Sequence, residues 1–261
     1  MPEETNEPVD QGTMPITKHL EELRKRIIIS FLAIAVGFCV CFAFADRLFN
    51  LLKKPWVDAN PKWQFPPLIY TAPHEAFFTY MKVAFMAGSL LAVPVIFLQI
   101  WRFIAPGLYQ HEKRYLLPVV FFTSVCFISG SLFGYFVVFP TAYKFFLTYA
   151  TPDIAPMMKV SEYLSFSSKM LFAFGFAFEL PVFAFFLGKI GILSHDFLKR
   201  KRKIAIVLVF VAAAALTPSP DVVSQLLMAG PLLVLYEISI WVVYWTAKKA
   251  ESESKELVKE E

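Results

Sequence analysis

Cysteine is scarce, with three in 261 residues, and Cys39, Cys41 and Cys126 all fall inside apolar runs. Two helical residues separated by one other point about 200° apart, so Cys39 and Cys41 suggest neither a disulfide nor a shared metal site. Histidine is nearly as rare, at four residues. Two His-Glu dipeptides occur, His74-Glu75 and His111-Glu112, but a zinc-peptidase HExxH helix needs a second histidine where Phe78 and Tyr115 stand. A G-x-S-x-G elbow, a P-loop and a G-x-G-x-x-G turn are all missing. The chain is therefore not expected to be an enzyme, to hold a metal or cofactor, or to draw energy from a nucleotide of its own. Charge is also thin, at 18% of residues, which excludes a soluble domain of ordinary composition.

What the chain has is apolar length. Hydrophobic residues make up 57%, aromatics 17%, and the mean hydropathy is +0.56, the balance of an integral membrane protein. The first apolar run, 27–45, follows a polar stretch and shows no small-residue cleavage site, so it reads as a retained span. Residues 83–101 carry no charge over 19 positions and residues 115–143 none over 29, both long enough to cross a bilayer. We expect an all-α membrane protein with six spans, at about 27–45, 76–101, 115–139, 169–188, 204–216 and 222–244. Residues 1–15 read as a disordered tail, 16–247 as the membrane domain and 248–261 as a second charged tail.

Between spans the chain changes character in readable ways. Residues 16–26 place Leu20, Leu23 and Ile27 on one face and set Glu21 and Glu22 four residues before Lys25 and Arg26. This predicts a short amphipathic helix on the membrane surface, with Thr17 as N-cap, leading into the first span. Residues 46–75 hold five prolines with Trp56 and Trp63, and read as a stiff loop seated at headgroup level. Lys82 is expected to snorkel from the start of the second span. Phe139-Pro140 is expected to end the third, and 141–169 to lie at the interface. Gly130 and Gly134 have helix-approach spacing, although chance explains it at least as well. The apolar run 204–216 covers about 20 Å against a hydrocarbon core of about 30 Å. After it, the turn 217–221 offers Asp221 as the N-cap of the last helix. The last two spans thus read as short, with the bilayer thinned around them.

Six spans put both termini on one side. Lysine and arginine number 17 in the segments on that side against 6 on the other, which predicts cytoplasmic termini.

Two carboxylates then stand out. Glu22, five residues before Ile27, and Glu112, within the polar hinge 101–114 and three before Tyr115, both project from helix ends on the terminal side at similar depth. Two acids at one water–lipid boundary suit a ligand with two guanidinium groups, because each can form a planar, charge-assisted pair that lysine does not reproduce. The plainer alternatives are that Glu22 pairs with Arg26 and that Glu112 only complements a helix dipole. Glu179 falls in mid-span beside Pro181, where an ionisable group costs at least about 2.5 kcal/mol and marks a pathway, a partner or a hydrogen-bonded core position. Gln225 and Glu237 are further polar positions in the last span that could meet another helix.

Six stretches, in order, carry a resemblance: HLEELRKR (19–26), FIAPGLYQHEKR (103–114), YFVVFP (135–140), YLSF (163–166), AFGFAFELPV (173–182) and LTPSPDVVSQ (216–225). Together they resemble the TatC family of the twin-arginine protein translocase, over about 17–245. The resemblance implies a six-span, cup-shaped protein of the inner membrane with cytoplasmic termini. It implies a receptor for signal peptides bearing consecutive arginines, recognised at Glu22 and Glu112 with Phe103 beside them. It also implies single-span partners, TatA and TatB, association into larger complexes, transport of folded precursors driven by the proton-motive force, and partner-helix contacts near Glu179 and Gln225. Nucleic acid is not an expected partner. Two other classes remain open: a secondary transporter, which would need internal repeats that the two halves do not display, and a structural membrane scaffold.

Overall fold

The computed structural model describes residues 16–59, 68–104, 116–151, 153, 156–216 and 222–260. Among them the regular elements are all helices, with no strand; Ile69 and Lys159 form an isolated parallel bridge. The all-α membrane architecture expected from the sequence is the one observed. Five helical stretches are long and apolar enough to cross a membrane: His19–Phe42, Pro73–Ile104, Leu117–Leu147, Val160–Lys189 and Gln225–Thr246. The sixth expected span lies in a helix whose first half is basic, His195–Leu216.

Several boundaries differ from the sequence reading, each for a physical reason. The amphipathic segment and the first span are one helix, α1 (Ile16–Phe42), and Thr17 lies within it rather than at its cap. Nothing in 16–42 breaks a helix: it holds no proline, and its one glycine, Gly37, is used for packing. The stiff loop contains two short helices, α2 (Ala45–Leu52) and α3 (Lys54–Ala59), with Pro55 early in α3 where no intrahelical N–H is needed. Trp56 is not at a headgroup surface. It is buried, edge-on to Tyr143 with centroids 5.6 Å apart. Trp63 lies outside the described residues.

The second span is α4 (Pro73–Ile104), entered through Pro73 at its first turn. The third does not stop at Pro140. Helix α5 (Leu116–Phe133) passes through a π-helical turn, Gly134–Val138, into α6 (Phe139–Leu147), where Pro140 occupies the opening turn. The wider turn supplies the register change that a proline without an N–H requires. The interfacial stretch is shorter for the same reason. Helix α7 (Val160–Phe178) already starts at Val160, and after a break at Glu179 it continues as α8 (Leu180–Lys189). Helix α9 (His195–Leu216) begins before the basic run 199–203. Finally α10 (Val222–Glu260) continues through the segment read as a tail. The turn 217–221, Asp221 included, and residues 1–15 lie outside the described residues.

Helix pairing follows small residues. In the most extensive pairing of the fold, α1 lies along α4, and the two backbones meet at Gly37 and Gly88. A Cβ added to Gly37 would sit 2.5 Å from the Gly88 carbonyl oxygen. Gly130 packs likewise against the Phe174 backbone of α7, and a Cβ added to Gly134 would lie 3.6 Å from Met170 O, so this pair of glycines is a real helix contact. The core fills the angle between α6 and α7 with Phe139, Tyr143, Tyr163, Met170 and Phe174, all nearly inaccessible. Its tyrosines keep their hydroxyls satisfied: Tyr163 donates to the Leu52 carbonyl and Tyr135 to that of Leu51 at 2.6 Å, which docks α2 onto the bundle.

At the opposite end from the chain's N-terminus, one carboxylate serves two helices. Glu75, in the first turn of α4, accepts from the Thr71 N–H (2.9 Å) and from the Ser161 N–H of α7 (3.1 Å). With the Ile69–Lys159 bridge, whose Val160 N–H donates to Ile69 O at 2.9 Å, this sets the first turns of α4 and α7 at one level.

Candidate functional site

The pairing of α1 with α4 brings the two helices' ends together on the side of the chain's N-terminus. There His19 stacks on Phe103, with centroids 4.3 Å apart and ring planes 19° from parallel. One turn further along α1, Glu22 Oε1 accepts from the Arg26 guanidinium at 2.7 Å. Arg26 reaches across to α4 as well, donating from its other terminal nitrogen to Gln99 Oε1 at 3.2 Å. Helical geometry explains the set. Residues 19, 22 and 26 share one face of α1, and 99 and 103 share one face of α4.

This places two of the three expected binding residues, Glu22 and Phe103, in one cluster. The third, Glu112, lies outside the described residues. The sequence reading did not single out His19, Arg26 and Gln99 as site residues. Gln99 carried a signal, being the polar residue near the end of the uncharged run 83–101. It is buried at 5% exposure, so its amide is available only to neighbours such as Arg26.

The electrostatics of the cluster are those of a guanidinium seat. Glu22 and Arg26 are each about one-fifth exposed, enough shelter to strengthen the pair above that of a fully solvated one. Only Oε1 of Glu22 is engaged by Arg26 among the described residues, so Oε2 keeps its acceptor capacity. The stacked His19–Phe103 pair provides a flat wall next to the carboxylate, and guanidinium groups stack on such faces as well as pairing with acids.

A second polar locus lies inside the bundle. Glu179 caps α7 and opens α8 at 1% exposure, and neither of its carboxylate oxygens reaches a hydrogen-bond donor among the described residues. A buried polar group without a partner lowers stability, so the site favours any incoming group that satisfies it. Replacing Glu179 with Leu is expected to raise the unfolding free energy of the isolated chain by about 1 to 3 kcal/mol. The same change is expected to impair export. Thermal denaturation in detergent alongside an export assay checks both, and a less stable variant with intact export would contradict the reading. The other polar positions are used within the chain. Gln225 donates to the Phe210 carbonyl at 2.9 Å, and Glu237 pairs with Arg202 at 2.6 Å, both fastening α10 to α9.

Together, these features define a multi-span helical membrane protein with a carboxylate–aromatic seat at one surface and an unsatisfied acid in its interior. The comparisons with known proteins agree with that class. The family model described as Sec-independent protein translocase protein (TatC) matches residues 18–231. A Sec-independent protein translocase protein TatC from Desulforapulum autotrophicum is 48% identical over 247 residues, covering 95% of this chain and 90% of its own. One of the same name from Aquifex aeolicus is 42% identical over 248 residues, covering 94% and 100%. A solved structure entitled "Crystal Structure of Twin Arginine Translocase Receptor- TatC" superimposes with a TM-score of 0.78 at 41% identity, covering 88% of this chain and 99% of that one. This chain belongs to the TatC family. It is a subunit of a protein translocase and not an enzyme, and it shares the six-helix, cup-shaped fold of that receptor.

Proposed function

We propose that this chain is the signal-peptide receptor of a twin-arginine translocase, binding the consecutive arginines of folded precursors at Glu22 and Glu112, with Phe103 as the aromatic wall. The observation that carries the reading is that Glu22 and Phe103 come together where α1 packs on α4, even though Glu22 also forms with Arg26 the pair that is its plainer role. Glu22 already holds a guanidinium, that of Arg26, at 2.7 Å near the His19–Phe103 stack, with its second oxygen unengaged among the described residues. A peptide guanidinium offers the same chemistry to that oxygen.

The rest of the reading follows from charge and burial. The excess of basic residues on the terminal side supports cytoplasmic N- and C-termini in the inner membrane, so the seat faces the compartment where precursors fold. The unsatisfied Glu179 supports a contact with a polar residue on a partner helix, the role we assign to the single-span subunits TatA and TatB, with Gln225 as a further contact. We also assign to the chain transport driven by the proton-motive force through an assembly of several copies, as the family resemblance implies.

Binding of three otherwise identical signal peptides tests the reading. An Arg-Arg peptide is expected to bind the purified chain roughly tenfold or more tighter than its Lys-Lys counterpart, because lysine lacks the planar fork, with the Arg-Lys peptide between them. Equal affinities for all three would remove the receptor role.

A further inference from the structure

Away from the guanidinium seat, two cavities meet along α4. The first, of about 400 Å3, opens beside the first turns of α4 and α7 and is lined by polar groups, among them His74, Glu75, Thr79, Lys82 and Ser161. The second, of about 720 Å3, runs along α1, α4 and α7 against Phe31, Phe38, Phe85, Leu164 and Phe172. Phe78, Lys82 and Leu164 line both, so the polar mouth leads directly into the apolar groove with a cation at the junction.

We propose that this continuous groove binds one phospholipid with an ethanolamine headgroup, its ammonium at Glu75, its phosphate at Lys82 and an acyl chain along the phenylalanine wall. The order of charges carries the assignment. Glu75 and Lys82 lie seven residues apart on one face of α4, with Glu75 about 10.5 Å nearer the helix end. From the membrane surface inward the protein therefore presents an acid, then a base, then hydrocarbon. Such a lipid presents an ammonium, then a phosphate, then hydrocarbon.

Each group has capacity for its role. Lys82 is exposed and has no ion-pair partner among the described residues. Glu75 accepts from the Thr71 N–H on one oxygen and the Ser161 N–H on the other, and these neutral donors leave its negative charge uncompensated, so an ammonium is drawn to it. A choline headgroup has no N–H to give. A glycerol headgroup brings no positive charge to Glu75. The apolar part matches a lipid tail, and the proposal is independent of the arginine-recognition reading.

Native mass spectrometry of the full chain, released from detergent with equal amounts of ethanolamine, choline and glycerol phospholipids of identical chains, tests the inference. The ethanolamine lipid is expected to be retained preferentially. Lys82→Met is expected to reduce that retention about tenfold, the effect of losing one charge-assisted contact, while Lys82→Arg keeps it. Equal retention of the ethanolamine and choline lipids, or preference for the glycerol lipid, would overturn the assignment. So would unchanged retention in a Lys82→Met protein of native helicity. The headgroup comparison on the unaltered protein stands even if that variant fails to fold.

Discussion

Glu22→Gln is expected to weaken binding of an Arg-Arg signal peptide by roughly 10- to 150-fold, the worth of about 1.5 to 3 kcal/mol for a hydrogen bond to a charged group. Glutamine keeps the shape and one acceptor but loses the charge that makes the pair with guanidinium short and strong. The fold should survive, because the native pair spans a single helical turn and is one-fifth exposed, so its loss leaves no fully buried charge. Arg26 also retains its bond to Gln99. Equilibrium binding and thermal denaturation of the same preparation separate the two effects. Full affinity in the variant would detach Glu22 from recognition, and loss of folding would make it a structural residue.

Gly88→Leu is expected to do comparable damage from a distance. A Cβ at Gly88 would run into the Phe38 amide nitrogen and Gly37 carbonyl carbon of α1, backbone atoms that cannot rotate away. The helices must separate, at about 3 kcal/mol or more for an overpacked backbone contact. Separation carries His19 and Arg26 away from Phe103 and Gln99, so binding is lost along with stability. Gly230→Leu is the control. A Cβ there meets nothing within 4 Å, and both measurements should stay near the wild type. If Gly88→Leu binds and melts like the parent, close packing of α1 on α4 does not hold the site together.

Long uncharged runs announce spans because no water in the bilayer core can satisfy an open backbone, and their number and order were legible for that reason. Ends were harder to read. Val160 opens a helix in a stretch of serines and one lysine that looks interfacial, since α7 buries Ser167 against Tyr143, 3.5 Å away, instead of exposing it. Pro140 looked like a terminator, and it is one only when the preceding turn cannot widen; here Gly134–Val138 does.

The site itself was half legible. Acids at helix ends are visible in a one-dimensional chain, and Glu22 and Phe103 belong to recognisable motifs. The Arg26–Gln99 bond joins positions 73 residues apart, and no local pattern encodes such a contact. Gly37 and Gly88 set it up, yet isolated glycines in apolar runs have many uses. Helix α4 emerges as the element on which the functions are arranged. It carries Glu75 and Lys82 at one end, Gly88 in the middle, and Gln99 with Phe103 at the other.

The most direct test is site-specific photocrosslinking to a labelled Arg-Arg signal peptide from a probe placed at Phe103, and separately at Glu112. The account predicts an adduct from both positions that unlabelled Arg-Arg peptide competes away and Lys-Lys peptide does not. Adducts that form equally with either peptide, or only from probes at the opposite end of α4 near Phe78, would contradict it.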